Sequence, residues 1–322
     1  MEERTELREP ILELRNVVKT FRNDDGRVVR AVKGASLRVY PGECVGIVGE
    51  SGCGKSTIAR MITNLTSTTS GEILLCGREI ADLKGADLRT SYKDIQMVFQ
   101  DPYSVFSPRM SVGTFLCEGL VHHGIMSRPQ ALEEARKLLR LVELPAELMD
   151  RMPHQLSGGQ FQRIVIARAV SIRPKVLMLD EATSALDVSV QKQVLDLLCR
   201  LRKELNLTYV FIGHDLAVVR TIADRIAVMY AGLIVEELPS ADLEKAQHPY
   251  TRRLLQSVFS VHDRNRKVIQ VEDMSVSSGA AAEGCPFQPR CPAALDECAG
   301  KCPALRELEP RHAAACLALE KG

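Results

Sequence analysis

The sequence lacks a large net charge, a long apolar run and an apolar N-terminus. Its 42 basic and 41 acidic residues among 322 leave a formal net charge of +1, so no overall field favours binding to nucleic acid or anionic lipid. The longest uncharged apolar-rich run, residues 226–235, is far shorter than the roughly 18 residues of a membrane-spanning helix. The charged residues 1–10 predict neither a signal peptide nor an anchor. We therefore expect contact with a membrane only through partners.

Residues 49–57 read GESGCGKST and match the phosphate-binding pattern G-x-x-x-x-G-K-[ST]. In this pattern glycines let backbone N–H groups approach phosphate oxygens, and a lysine neutralises the phosphates. A short apolar run, 43–48, precedes the loop and a predicted helix, 55–65, follows it, so the phosphates would lie at a helix N-terminus. The predicted ATP-binding residues are Gly49, Ser51, Gly52, Gly54, Lys55, Ser56 and Thr57.

A second segment, residues 176–181, is an apolar run that ends in two carboxylates. It predicts a buried strand that brings acids to the mouth of a parallel sheet. Asp180 could then reach Mg²⁺ together with Ser56, and Glu181 could act as the general base for the water that attacks the γ-phosphate. The alternative is an ordinary solvated strand end.

Residues 156–160 read LSGGQ before a predicted helix, and this segment resembles the signature of ATP-binding-cassette (ABC) proteins. Residues 184–187, SALD, similarly resemble the D-loop that follows the catalytic glutamate in that family. The resemblance implies a head-to-tail dimer with each ATP held between the glycine loop of one subunit and the signature of the other. The signature residues expected at ATP are Ser157, Gly158, Gly159 and Gln160.

The same resemblance assigns three further residues. Gln100 corresponds to the Q-loop glutamine, which contacts the metal and the water, and His214 to the switch histidine, which holds the γ-phosphate. Phe21 falls where an aromatic ring stacks on adenine, although the family commonly has tyrosine there and a core phenylalanine is a competing interpretation.

The alternation of strand and helix patterns predicts an α/β fold with a parallel sheet flanked by helices. The resemblance implies a P-loop ABC ATPase core with a front antiparallel β-subdomain. We expect a nucleotide-binding domain over residues 1–260 with a helical subdomain at about 101–172. The apolar periodicity is lost over 261–284, which predicts a linker, and a cysteine-rich module is expected over 285–322.

Three segments narrow the resemblance: residues 100–104 (QDPYS), 107–113 (SPRMSVG) and 248–255 (HPYTRRLL). They look like the dipeptide/oligopeptide importer ATPases, a group that pairs two different ATPases with two permeases and an extracytoplasmic substrate-binding protein. This implies an ATPase at the cytoplasmic face of the membrane that powers peptide import. Phe21, residues 105–107 and Cys302 depart from the group's pattern.

Other functions remain open from the sequence. An importer of nickel or another small solute belongs to the same family. A non-transport ABC ATPase with a redox-sensing tail is also possible, whereas a DNA-repair ATPase would need a coiled-coil insertion, a second ATPase half or CxxC pairs, which the sequence lacks.

The ten cysteines form two groups. Five are scattered and are predicted to be small buried residues in a reducing compartment: Cys44, Cys53, Cys76, Cys117 and Cys199. The other five crowd into the tail, with spacing C-x5-C-x6-C-x3-C-x13-C.

A cytosolic setting and an odd count disfavour disulfides in the tail, and zinc sites usually show CxxC pairs. Four thiolates at wider intervals suit an iron–sulfur cluster, and the resembling importers imply a 4Fe-4S centre. The predicted cluster ligands are Cys285, Cys291, Cys298 and Cys316. Cys302 would be a spare thiol, and zinc is the alternative metal.

Overall fold

The structure is a computed structural model that describes residues 9–22, 26–260 and 284–320, the side chains of 257–260 excepted. The predicted linker, 261–284, lies outside the described residues except for Gly284. The strands are β1 (Leu12–Arg22), β2 (Val28–Val39), β3 (Cys44–Val48), β4 (Ser70–Leu75), β5 (Arg78–Glu79), β6 (Ile95–Val98), β7 (Val176–Asp180), β8 (Thr208–Gly213), β9 (Arg225–Tyr230), β10 (Leu233–Pro239), β11 (Arg306–Glu309) and β12 (His312–Ala314).

The α-helices follow the same chain order. They are α1 (Lys55–Ile62), α2 (Gly85–Asp94), α3 (Val112–His122), α4 (Arg128–Leu141), α5 (Gly158–Ser171), α6 (Val188–Leu205), α7 (Leu216–Ile222) and α8 (Pro249–Ser260). Within the described residues, no helix is both long enough and apolar enough to cross a membrane.

The strands form two sheets. The front sheet is antiparallel with the order β2-β1-β4-β5, and the main sheet has the order β11-β12-β10-β9-β3-β8-β7-β6. From β9 to β6 the main-sheet strands are parallel, whereas β10, β12 and β11 add antiparallel pairs at one edge. The predicted α/β cassette with a front β-sheet is therefore confirmed as an architecture of mixed sheets and helices.

The strand β3 shows how the main sheet builds two cores. All five of its residues are buried, as expected for a parallel strand covered on both faces. Cys44 and Val48 pack in the core on the helical side, while Val45 and Ile47 pack in the core that faces the front sheet. Alternate side chains of one strand thus hold the two layers together, because successive strand residues point to opposite faces.

Helices α3, α4 and α5 lie within the segment predicted as the helical subdomain. Ser111 caps α3 through a hydrogen bond from the Thr114 backbone N–H, 3.4 Å long. The Phe106 ring stacks on Phe115 with 4.0 Å between ring centroids, so the loop after β6 is packed onto this helical layer.

The cysteine-rich tail is joined to the main domain, and a separate module is not confirmed. Strand β12 pairs with β10 and extends the main sheet. Phe287 is 1% exposed and meets the rings of Tyr230 and Tyr250 at centroid distances of 5.3 and 5.4 Å. The tail therefore obtains its apolar core from the main domain.

Some of the scattered cysteines are buried and others are not. Cys44, Cys53 and Cys117 are buried as predicted, and Cys199 is half-buried. The prediction is wrong for Cys76, which is exposed. It occupies the turn between β4 and β5 with a φ of 50°, a position at the surface rather than in the strand core.

Candidate nucleotide-binding site

The phosphate loop runs from the end of β3 to the start of α1 and needs glycine at two tight points. Gly54 precedes α1 with a φ of 110°, and a Cβ there would lie 2.4 Å from the Ala31 carbonyl oxygen. A Cβ on Gly49 would lie 2.1 Å from the Met229 carbonyl oxygen. Both distances are sterically forbidden, so the loop can pass this close to β9 and the front sheet only without side chains.

Lys55 begins α1 and points into the loop. Its Nζ donates hydrogen bonds to the carbonyl oxygens of Gly49, at 2.8 Å, and Glu50, at 2.9 Å. The side chain is buried. Nζ also lies 3.8 Å from Cys53 Sγ. A buried ammonium held by neutral partners is available to a stronger anionic partner, which the α1 N-terminus also favours.

Ser56 and Asp180 come together from α1 and the end of β7. The Ser56 hydroxyl donates a 3.0 Å hydrogen bond to the Asp180 carboxylate. Burial raises the pKa of Asp180, and the hydrogen bond from Ser56 opposes that shift. A hydroxyl and a carboxylate oxygen side by side form a donor set of the kind that Mg²⁺ prefers.

Glu181 follows Asp180 and faces two other predicted residues. Its Oε2 accepts a 2.8 Å hydrogen bond from Gln100 Nε2 and lies 3.7 Å from His214 Nδ1. Glu181 has a φ of 48°, and its N–H donates to the Ile212 carbonyl oxygen at 3.0 Å. The left-handed backbone turns the carboxylate out of the strand, so the ends of β6, β7 and β8 converge on one group.

The signature residues stand at the start of α5 and bond to one another. Ser157 and Gln160 form a capping box: the Gln160 N–H donates to the Ser157 hydroxyl at 3.3 Å, and the Ser157 N–H donates to Gln160 Oε1 at 3.0 Å. A Cβ on Gly159 would lie 2.6 Å from Val190 Cγ1. Among the described residues no hydrogen bond joins this segment to the phosphate loop, so one chain presents two separate anion-type surfaces.

Phe21 lies on β1 and is 40% exposed. The Lys19 ammonium is 5.0 Å from its ring centroid. This exposure rules out the core-phenylalanine interpretation and leaves the ring free to meet a flat ligand. Contact with adenine remains a prediction.

The tail thiols are neighbours but do not form a metal site. Burial raises the pKa of Cys285 and of Cys291, and nearby thiols add to it: Cys298 and Cys302 at the first, Cys316 and Cys298 at the second. Yet no group of three or more His, Cys, Asp or Glu side chains in the described part of the chain is arranged to hold a metal ion. The predicted ligand set is not assembled as a metal site in this arrangement, and neither the cluster nor the zinc alternative is confirmed.

Two contact networks were missed at the sequence level. Glu50 of the phosphate loop is bound by Tyr250 and Arg290. The buried carboxylate of Glu236 accepts hydrogen bonds from the backbone N–H of His248 and pairs with His312 at 2.8 Å. The HPY segment was identified as a motif in the sequence, but no local pattern indicates partners so distant along the chain.

A β-strand, a glycine loop and a helix N-terminus beside an acidic strand end define a P-loop nucleotide-binding site, and the signature segment at the start of α5 indicates an ATP-binding cassette. A family model described as ABC transporter matches residues 32–184, and one described as the C-terminal region of oligopeptide/dipeptide transporters matches 235–298.

Two curated relatives cover most of the chain. The oligopeptide transport ATP-binding protein OppF of Escherichia coli is 42% identical over 330 residues, covering 98% of this chain and 98% of the relative. The di/tripeptide transport ATP-binding protein DppF of Pseudomonas aeruginosa is 43% identical over 288 residues, covering 89% of each chain.

Solved cassettes share the fold. The dimeric bacterial ABC transporter cassette MJ0796 superposes with a TM-score of 0.64 at 31% identity, covering 71% of this chain and 98% of that one. The cbiO1 protein of Clostridium perfringens gives a TM-score of 0.65 at 27% identity, covering 79% and 97%. The chain belongs to the ABC transporter ATP-binding family, in the branch that carries the oligopeptide/dipeptide C-terminal region, and it is an ABC-type ATPase.

Proposed function

We propose that this chain is the ATP-hydrolysing subunit that powers import of di- or oligopeptides through a heteromeric ABC transporter. The observation that carries the proposal is the match of residues 235–298 to the oligopeptide/dipeptide C-terminal region, on top of a complete cassette. The names of OppF and DppF point to the same substrate class.

Nucleotide binding is assigned to the phosphate loop and to Phe21. Lys55 exchanges the carbonyl oxygens of Gly49 and Glu50 for the β- and γ-phosphates, while the loop N–H groups and the α1 N-terminus hold the remaining charge. The Phe21 ring covers the adenine. The Lys55 side chain already lies at the loop, so it needs to move little when nucleotide binds.

The metal and water are assigned to the strand ends. Ser56 and Asp180 supply oxygen ligands for Mg²⁺, which when bound neutralises charge on the phosphates. Glu181 accepts the proton of the attacking water. Gln100 and His214 hold the Glu181 carboxylate in place, and His214 also contacts the γ-phosphate.

The second half of each site is assigned to a partner chain. The signature start of α5 offers a hydroxyl and backbone N–H groups, and it is separate from this chain's own loop. A head-to-tail dimer with a related ATPase would place it on the partner's ATP. The similar MJ0796 cassette was solved as a dimer, which supports this arrangement.

The proposed assembly adds two permeases and an extracytoplasmic substrate-binding protein, with this chain at the cytoplasmic face of the membrane. The test is co-expression with the permeases, membrane extraction and reconstitution in liposomes. Peptide-stimulated ATP hydrolysis and peptide uptake are expected. Stimulation by nickel or another small solute instead would change the substrate class, and failure to co-purify with permeases would contradict the transport function.

A 4Fe-4S cluster on Cys285, Cys291, Cys298 and Cys316 stays a finer proposal. It is supported by the number, spacing and proximity of the thiols, not by their present arrangement. No step of hydrolysis depends on it.

A further inference from the structure

Glu50, the second residue of the phosphate loop, is held at three points. Its backbone N–H donates a 3.0 Å hydrogen bond to the Tyr250 hydroxyl. Its two carboxylate oxygens accept hydrogen bonds of 3.0 and 2.9 Å from the two Nη atoms of Arg290. Its carbonyl oxygen accepts from Lys55 Nζ at 2.9 Å and from the Cys53 N–H at 3.3 Å. The contacts to this carbonyl come from the loop itself, whereas the other two come from the C-terminal region.

Arg290 has contacts other than Glu50 that restrict its side chain. Its guanidinium lies 5.8 Å from the Tyr230 ring and 6.0 Å from the Phe287 ring, and Nη1 also donates to the Tyr230 hydroxyl at 3.3 Å. The side chain is 18% exposed and that of Glu50 33% exposed. A planar guanidinium packed beside two aromatic rings loses little further freedom when it forms a two-pronged ion pair.

Tyr250 is equally constrained. It is buried in the first turn of α8, and its ring packs against Tyr230 at a centroid distance of 4.6 Å. Its hydroxyl is therefore a fixed acceptor for a loop N–H group.

We propose that Tyr250 and Arg290 are positioning residues of the ATP site, which hold Glu50 and with it the phosphate loop in the shape that binds nucleotide. When Lys55 leaves the carbonyl oxygens of Gly49 and Glu50 to meet phosphate, the loop loses two of its internal contacts. The contacts from Tyr250 and Arg290 remain, so the loop keeps its shape through that exchange. The C-terminal region is thus part of the support of the nucleotide site. The inference rests on the ATPase assignment.

The test uses the full chain and measures binding of Mg-ADP and of a non-hydrolysable ATP analogue. Arg290→Gln and Tyr250→Phe are each expected to raise the Kd of both nucleotides about three- to tenfold. The first loses charge-assisted hydrogen bonds to Glu50, and the second leaves the Glu50 N–H without its acceptor. The turnover rate at saturating ATP should change much less. Arg290→Lys keeps the charge but not the two-pronged geometry and should restore part of the affinity.

Arg306→Gln is the matched control, because Arg306 pairs with Glu320 at 3.2 Å within the same C-terminal region, away from the loop. It should bind nucleotide like the wild type. Glu50→Gln combined with Arg290→Gln should weaken binding no more than either change alone, since both remove the same interaction.

A wild-type Kd for Arg290→Gln and Tyr250→Phe, or additive losses in the double variant, would overturn the proposal. If Arg290→Gln does not fold, the Kd of Tyr250→Phe tests the proposal, because this variant keeps the packed ring. If the wild type binds and hydrolyses ATP and the variants have the same Kd, this inference alone is contradicted. If the wild type does not hydrolyse ATP, the proposed function is contradicted.

Discussion

The side-chain amide of Gln100 donates a 2.8 Å hydrogen bond to the carboxylate of Glu181. Gln100 lies just after β6, where the chain enters the helical layer, and Glu181 lies just after β7. A shift of the helical layer would therefore change the hydrogen bonding of the proposed base. In the proposed transporter, this bond offers a direct physical route from a movement of the helical layer to hydrolysis.

Replacing Glu181 with glutamine should abolish multiple-turnover ATP hydrolysis and leave Mg-ATP binding near normal. The amide keeps the shape of the side chain but cannot accept the proton of the attacking water. A loss of roughly 100-fold or more in turnover is expected, typical of the removal of a general base. Steady-state phosphate release and nucleotide titration measure the two quantities.

Glu118→Gln serves as the control for that experiment. Glu118 pairs with Arg168 at 2.8 Å on the helical layer, outside the proposed site, and its loss should leave turnover unchanged. Near-normal turnover in Glu181→Gln would contradict the general-base assignment.

Replacing Lys55 with alanine should impair a different step. The change removes the buried ammonium at the start of α1 that is proposed to meet the β- and γ-phosphates. Binding of Mg-ATP itself should weaken by about tenfold or more, because a charge-assisted contact in a buried site is lost. Equilibrium binding distinguishes this defect from that of Glu181→Gln, and unchanged affinity would remove Lys55 from the phosphate site.

The parts of the site that were predictable from sequence are those encoded within a few residues. The phosphate loop, the acidic end of β7 and the Asp187 cap of α6, which accepts hydrogen bonds from the Ser189 and Val190 N–H groups at 3.1 and 3.0 Å, are local patterns. Local spacing determines their backbone geometry, so the sequence alone is enough to predict them.

The contacts made by the tail were not predictable. Glu50 and Arg290 are 240 positions apart, and their meeting depends on how β12 pairs with β10 and how Phe287 enters the core. Tertiary packing of this kind leaves no periodic signal in a single sequence. The tail cysteines illustrate the same limit, because their spacing indicated a cluster that their positions do not form.

The isolated chain should hydrolyse ATP slowly, and addition of a related ATPase chain with two permeases should raise the rate severalfold or more. The reason is that the signature at Ser157 bonds within its own segment and is separate from the chain's own phosphate loop. Steady-state hydrolysis at matched protein concentration tests this. Full solute-stimulated activity from the isolated chain would contradict the hetero-assembly.

Anaerobically purified protein tests the iron–sulfur proposal. If the proposal holds, the protein is brown and contains about four iron and four sulfide per chain. Cys298→Ser should then lose the metal, and Cys302→Ser should keep it. A colourless preparation, one that holds zinc instead, or metal loss from Cys302→Ser alone would contradict the cluster or its ligand set.

Protonation of His248 should destabilise the fold as the pH falls. Burial lowers the pKa of His248 from 6.5 to about 4, and its Nδ1 accepts a 3.1 Å hydrogen bond from the Tyr250 N–H, which requires the neutral ring. Between these two pKa values the unfolded chain binds more protons than the folded one, so the free energy of unfolding rises with pH across this window. A loss of up to about 3 kcal/mol is expected between pH 6.5 and 4.

Chemical denaturation at pH 7.5 and pH 5 measures the part of this loss that falls above pH 5, about 2 kcal/mol. The variant His248→Asn should be less stable at pH 7.5 but lose less on acidification. The buried pair of His312 and Glu236 next to this segment is present in both proteins, so the difference between wild type and variant isolates His248. His122, which is exposed at the end of α3, provides the control: His122→Gln should keep the wild-type pH dependence. If His248→Asn loses as much stability as the wild type between the two pH values, His248 is not the group responsible.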